Sequence, residues 1–221
     1  MIDKRCAGLG EAVNGIEDGS VVLVGGFGNA GEPIELLNAL AERKPRNLTI
    51  VSNNAGSGDE GIGQLIIKGC VRKFICSFPR VAGADAFDKM YDEGKLELEL
   101  TPQGTLAERI RAAGAGIPGF YTRTSVDTPL AEGKEVRDFG GKDYVMEEAI
   151  FGDVALVKAA KGDRWGNLTY TMSSRNFNPV MAMGAKTTIA QVGELVNLGS
   201  IEPEQVITPS IFVDKVVAVD S

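Results

Sequence analysis

Histidine is absent from all 221 residues. Without an imidazole the chain cannot build a Ser-His-Asp or Cys-His catalytic set, and the usual zinc sites are excluded, so no metal is expected. Any chemistry must run through carboxylates, amides, hydroxyls or backbone donors. Cysteine is scarce. Cys6, Cys70 and Cys76 form an odd set with no Cys-x-x-Cys pair, as expected of free, mostly buried thiols in a reducing compartment. Positive charge is in deficit, with 23 Lys and Arg against 30 Asp and Glu, and the net charge of −7 argues against a nucleic-acid partner. Long apolar runs are missing too. No stretch approaches the roughly 20 residues of a membrane span, and Met1-Ile2-Asp3-Lys4-Arg5 lacks the apolar core of a signal peptide. A cytoplasmic protein with no membrane contact is expected.

Glycine, by contrast, is abundant at 28 residues, which suits many tight loops between strands and helices. The length allows one large domain or two small ones, and the chain is read as one domain, residues 1–221. Its centre is Val21-Val22-Leu23-Val24, a short apolar run bounded by glycines that reads as a buried strand. It runs into the loop Gly25-Gly26-Phe27-Gly28-Asn29-Ala30-Gly31, and Pro33 at the first helical position starts a helix that reaches Arg43. Glycines without a Cβ can bring bare N–H groups against an anion or a developing oxyanion. The same loop is equally well explained as a tight turn with no ligand. Gly26 to Gly31 fits G-x-G-x-x-G, but no acidic ribose ligand follows the next strand and no Walker Lys-Ser/Thr is present. A non-catalytic nucleotide-binding module is therefore kept as the alternative from another functional class.

Helix and strand patterns alternate along the chain, the signature of a mainly parallel α/β sheet flanked by helices. Asp3 to Gly15 reads as an opening helix, Leu48–Val51 and Val71–Cys76 as strands, Gly61–Lys68 and Ala82–Tyr91 as helices. Lys95–Leu100 alternates with period two and reads as a strand with one solvated face. Thr101-Pro102-Gln103-Gly104 leads into a helix over Thr105–Ala113, with Thr105 and Glu108 as a capping box. Gly114 to Tyr121 reads as an irregular loop, and Lys134–Glu147 as a hairpin turning near Gly140–Asp143, so 114–147 is a small β excursion. Ala155–Ala160, Thr187–Val192 and Val216–Val219 complete the strands. Two strand-to-helix loops carry short polar side chains, Asn53-Asn54 and Gln103. Ligands of open α/β sheets bind where such loops converge, so these two and the glycine loop could line one pocket. Asn and Gly are also ordinary turn residues, and Gln103 could simply cap a helix.

Several motifs converge on one family. Asp18 to Pro33, Val51-Ser52-Asn53-Asn54-Ala55-Gly56, Thr101 to Arg111, Gly114-Ala115-Gly116-Ile117-Pro118, Gly166-Asn167-Leu168-Thr169-Tyr170 and Arg175-Asn176-Phe177-Asn178-Pro179 occur in order. Together they resemble the A (alpha) subunits of family I, 3-oxoacid-type CoA-transferases. Cys76-Ser77-Phe78-Pro79-Arg80 and Lys161 to Gly166 look most like members acting on 3-oxoadipate, and acetoacetate-type relatives tend to differ at both places. Thr171-Met172-Ser173-Ser174 departs from the pattern, since relatives usually carry a basic residue and an Ala pair there.

The resemblance implies a NagB/RpiA/CoA-transferase-like fold and an enzyme that moves CoA from succinyl-CoA to a 3-oxoacid. It implies a B (beta) subunit partner, in a heterodimer or heterotetramer, which supplies the nucleophilic glutamate in a Glu-Asn-Gly context. This chain has no Glu-Asn-Gly and is expected to be inactive alone. By resemblance, Asn53 is the oxyanion donor, Asn54 and Gln103 hold the partner's glutamate and the substrate carboxylate, and Gly25–Gly31 matches the stretch assigned to CoA. No tightly bound cofactor is implied; CoA and succinyl-CoA are substrates.

Overall fold

A computed structural model describes residues 2–56, 58–80 and 85–219. Its strands are β1 (Val21–Val24), β2 (Leu48–Val51), β3 (Val71–Cys76), β4 (Glu97–Leu100), β5 (Gly119–Thr122), β6 (Val136–Asp138), β7 (Asp143–Glu148), β8 (Gly152–Asp163), β9 (Leu168–Thr169), β10 (Ala185–Val196) and β11 (Lys215–Ala218). Its helices are α1 (Leu9–Ala12), α2 (Ile34–Arg43), α3 (Gly61–Ile67), α4 (Asp85–Asp92), α5 (Gln103–Gly114) and α6 (Asn178–Met183). The main sheet runs β11-β10-β8-β1-β2-β3-β4, all parallel, with β9 added antiparallel to β8. A separate antiparallel sheet runs β5-β7-β6.

The apolar run of β1 is continuous because both of its faces are covered. Val22 and Val24 pack with Leu36, Leu37, Leu40, Ile62 and Leu65 from α2 and α3, while Leu23 packs with Leu106, Ile110 and Met181 from α5 and α6. Successive strand side chains point to opposite faces, so one apolar tetrad feeds two cores. Sheet order reverses at β1: the chain first builds outward through β2, β3 and β4, then returns to β8 on the other side. The crevice at the carboxyl ends of β1 and β8 is a topological switch point, where open α/β sheets bind their ligands.

Two buried polar side chains lock helices onto this frame. Gln191 of β10, fully buried, accepts from Leu36 N at 3.1 Å and donates to Glu35, so it satisfies the first turn of α2. Glu32, buried just ahead of α2, accepts from Ile62 N at 3.0 Å at the start of α3.

Several expectations are corrected. The opening helix shrinks to Leu9–Ala12, because Lys4 and Cys6 instead bond their backbones to Val216 of β11 and glycines at 8 and 10 disfavour helix. Helix α5 begins at Gln103, not Thr105. Thr105 therefore lies inside the first turn, its hydroxyl is buried without a partner, and the capping box does not form. Pro33 is the cap of α2 rather than its first residue. Residues Gly119–Thr122, expected to be irregular, form β5 because they pair with β7. Helix α6 was not expected at all. Of the helix expected over Ala82–Tyr91, residues 82–84 lie outside the described residues, and the remainder is helical.

Gln191→Leu leaves the Leu36 N–H without its acceptor in a buried site. Chemical denaturation is expected to show a loss of about 1–3 kcal/mol; unchanged stability would mean that another group takes over this cap. Burial raises the Glu32 carboxyl above its usual range, against the Ile62 bond and the Lys158 charge, while Glu60 pushes further up. A carboxyl raised on folding holds its proton more tightly in the native state. Its contribution therefore weakens as pH climbs from the ordinary 4.5 through the raised native value. Glu32→Gln is expected to raise Tm at neutral pH, with the gain fading once pH falls below 4.5. A gain that persists in acid would exclude ionisation of Glu32 as its cause.

Candidate active site

The carboxyl ends of β1, β2, β3 and β4 bring together the three loops singled out from sequence. The Asn54 Oδ1 accepts from Gly28 N at 2.9 Å, which ties the second loop to the glycine loop. The Asn53 Oδ1 accepts from Gln103 Nε2 at 2.9 Å and from Ser77 Oγ at 2.7 Å, which ties it to the start of α5 and the end of β3. Asn53 O also receives Ser77 N at 3.2 Å and Phe78 N at 3.1 Å. With its carbonyl facing two donors, the Asn53 amide turns its Nδ2 away from them. Asn53 and Asn54 are buried and Gln103 is exposed at the rim. Asn54 Nδ2 is buried and has no hydrogen-bond partner. A buried donor in that state costs about 1–3 kcal/mol, so an acceptor arriving at this point gains that much by default.

No nucleophile is supplied from nearby thiols. Cys76, at the end of β3, has its thiol pushed up to about 12 by burial, against a weaker effect of the Phe78 backbone. A thiol so poorly ionised is inert. What the cluster offers is neutral amide donors, suited to a carboxylate or a developing oxyanion.

The glycine loop turns its donors inward. Gly25 N donates to Leu156 O, Gly26 N to Asn176 Oδ1, Phe27 N to Ala30 O and Ala30 N to Phe27 O. Asn176 Nδ2 returns to Ala30 O at 2.8 Å, so one carboxamide clamps both ends of the turn. Fully buried Asn178 donates to Gly31 O at 3.0 Å and Ser174 O at 2.8 Å and accepts from Lys158 N at 2.9 Å. These approaches require glycine: a Cβ on Gly25 would stand 1.9 Å from Asn178 Oδ1, and one on Gly31, with φ at +75°, 2.5 Å from Ser174 O. Outward the loop presents the half-exposed Phe27 ring. With Gln103, Ala107, Phe177 and Val180, it borders an uncharged cleft of about 320 Å³.

Ser77, Asn176 and Asn178 were not singled out from sequence. The two asparagines stood in view as part of Arg175–Pro179, but nothing local announces that they act on a loop far away in the chain. The Thr171–Ser174 departure has a physical explanation. Ser173 and Ser174 serve through backbone carbonyls that accept from Asn176 and Asn178, so their side-chain identity is free to vary.

The sequence profile of the coenzyme A transferase family matches residues 8–219. The A subunit of 3-oxoadipate CoA-transferase from Acinetobacter baylyi is 58% identical over 221 residues, covering 100% of this chain and 97% of that protein. The protein of the same name from Pseudomonas putida is 55% identical, covering 99% and 95%. The A subunit of succinyl-CoA:3-ketoacid coenzyme A transferase from Xanthomonas campestris is 49% identical over 97% of this chain and 88% of its own. Among solved structures, an acyl-CoA transferase of Escherichia coli O157:H7 superposes with a TM-score of 0.86 at 26% identity. This chain is 99% covered and spans about half (47%) of that one. The glutaconate coenzyme A-transferase of Acidaminococcus fermentans, 20% identical with a TM-score of 0.86 over 98% of this chain and 76% of that one, shares the fold. The profile match over nearly the whole length and the identity to the bacterial A subunits leave one assignment: the chain belongs to the coenzyme A transferase family.

Proposed function

We propose that this chain is the A subunit of a two-subunit CoA-transferase that moves CoA from succinyl-CoA to 3-oxoadipate. The observation that carries the reading is the cluster of Asn53, Asn54 and Gln103, a set of neutral amide donors that includes an unpartnered buried N–H. The similarity to the A subunits from A. baylyi and P. putida supports 3-oxoadipate as acceptor. In this reading residues 1–221 act as one domain, and a B subunit completes the enzyme as a heterodimer or heterotetramer. The enzyme works in the cytoplasm. No described helix is long and apolar enough to cross a membrane.

The partner's glutamate attacks the thioester carbonyl, and the oxyanion formed collapses with loss of CoA thiolate to a mixed anhydride. The thiolate then attacks the glutamyl carbonyl of the anhydride, expelling the donor's carboxylate anion and leaving a glutamyl-CoA thioester. The acceptor carboxylate reverses these steps. Asn53 Nδ2 donates to the oxyanion, while Asn54 and Gln103 hold the partner's glutamate and the substrate carboxylate. Covalent catalysis divides one difficult acyl transfer into easier steps, and preorganised donors lower each barrier. The Gly25–Gly31 loop lines the CoA side through the half-exposed ring of Phe27. The similarity to the X. campestris protein, named for a 3-ketoacid, supports another 3-oxoacid as second candidate acceptor, and acetoacetate is the one we propose.

The isolated chain is expected to show no transfer, and mixing with its B subunit to restore it. Turnover by the lone chain would overturn the division of labour. In the assembled enzyme, kcat/KM is expected to be higher with 3-oxoadipate than with acetoacetate, and the reverse order would select the second acceptor. Asn53→Ala is expected to lower kcat on the order of 100- to 1,000-fold, as for loss of one oxyanion donor. Near-normal kcat would remove Asn53 from that role.

A further inference from the structure

Arg109 stands further along the helix that begins with Gln103, and its side chain is only 13% exposed. Its Nη1 donates to Glu99 Oε1 at 2.8 Å and to Thr101 Oγ1 at 3.2 Å. Its Nε donates to Glu148 O at 2.7 Å and lies 3.9 Å from Glu147 Oε2. Glu99 is shared with Lys73 of β3 at 2.6 Å, and Glu147, fully inside, with Lys134 at 2.7 Å. Burial alone would raise the Glu99 carboxyl, but Lys73 and Arg109 hold it below its usual range. One guanidinium thus joins the end of β4, helix α5 and β7.

This network meets the amide cluster at one corner. Thr101 and Pro102 are the only residues between β4 and Gln103. Pro102 caps α5 without a side-chain bond, and the Thr105 hydroxyl is not used there. No side-chain cap fixes the helix start. Arg109 does so from within the helix, by gripping Thr101 and Glu99 on the strand side. The planar fork reaches β4 through one nitrogen and β7 through another, which a lysine ammonium cannot reproduce.

We infer that Arg109 is a positioning residue for CoA transfer: it fixes the Thr101–Gln103 corner and thereby holds the Gln103 carboxamide against Asn53. The inference rests on the transferase reading above. The side-chain contacts of Arg109 are to Glu99, Thr101, Glu147 and Glu148, not to Asn53, Asn54 or Gln103, so its effect on the amide cluster passes through the corner that carries Gln103.

The test is a double-mutant cycle in the enzyme assembled with its B subunit, with Arg109→Met and Arg109→Lys made alone and in a Gln103→Ala background. Arg109→Met is expected to lower kcat about 100-fold, the scale of a 1 Å misplacement, with little change in KM for succinyl-CoA. Arg109→Lys is expected to recover only part of that loss. In the Gln103→Ala background Arg109→Met is expected to cost less than about threefold, since substitutions acting through one group do not add. Equal losses in both backgrounds, or near-normal kcat in the single variant, would overturn the inference. Should Arg109→Met fail to assemble, Thr101→Val carries the same cycle with a smaller loss, and additivity there would be equally fatal. Absence of transfer in the unmutated heteromer would instead overturn the transferase reading, before any variant is compared.

Discussion

One buried carboxamide, that of Asn178, holds together segments distant in sequence: the backbone of β8, the end of the glycine loop and the Thr171–Ser174 turn. It stands where the sheet order reverses, so no continuous strand ladder could do the same job. Remove that amide and Gly31, at the far end of the loop, loses its hydrogen-bonded link to Lys158 of β8. The glycines answer the same constraint from the other side. Gly25 and Gly31 are bare because Asn178 and Ser174 occupy the space where side chains would go. Once the loop is fixed, Gly28 orients Asn54, whose Nδ2 stays buried and unpaired. The order of causes runs from a buried amide to a rigid turn to an oriented functional group.

Much of this was legible in the sequence, and for definite reasons. β1 and β2 lie buried between helix layers, so they read as short, largely apolar runs between turn residues. Asn53, Asn54 and Gln103 stood out as polar side chains in loops after strands, and these loops do meet, joined by hydrogen bonds. What escaped was long-range or context-dependent. Asn176 and Asn178 work on backbone groups about 150 positions away, between 146 and 150 for Asn176 and at 147 for the Asn178 bond to Gly31. β5 exists only because β7 is beside it. The Cys6, Leu9, Ala12 and Val13 spacing suggested a helix, but Lys4 and Cys6 gain more by pairing with Val216. The Thr105–Glu108 pattern is a sound capping signal that falls three residues past the observed cap, Pro102.

The site is built from neutral donors, and the charged groups stand behind it. Arg109, Glu99, Lys73, Glu147 and Lys134 form a network that joins β3, β4, α5 and β7, in which each charge has an opposite neighbour. In the proposed transfer, free charge of either sign at the amide cluster would bias it toward one step of a reaction whose carboxylates must both bind and leave. Neutral amides bind a carboxylate less tightly than a guanidinium does, and release it more readily.

The pairing of Lys4 and Cys6 with Val216 also changes the outline of the sheet. An open β11 would offer a row of unpaired N–H and C=O groups to any passing strand, the usual route to edge-to-edge aggregation. The N-terminal segment closes that side with the chain's own backbone. The opposite side ends on β4, four residues long and bearing Glu97 and Glu99. One edge is guarded by cover and the other by brevity and charge, which leaves the carboxyl-end face free for a partner chain without the sheet itself becoming adhesive.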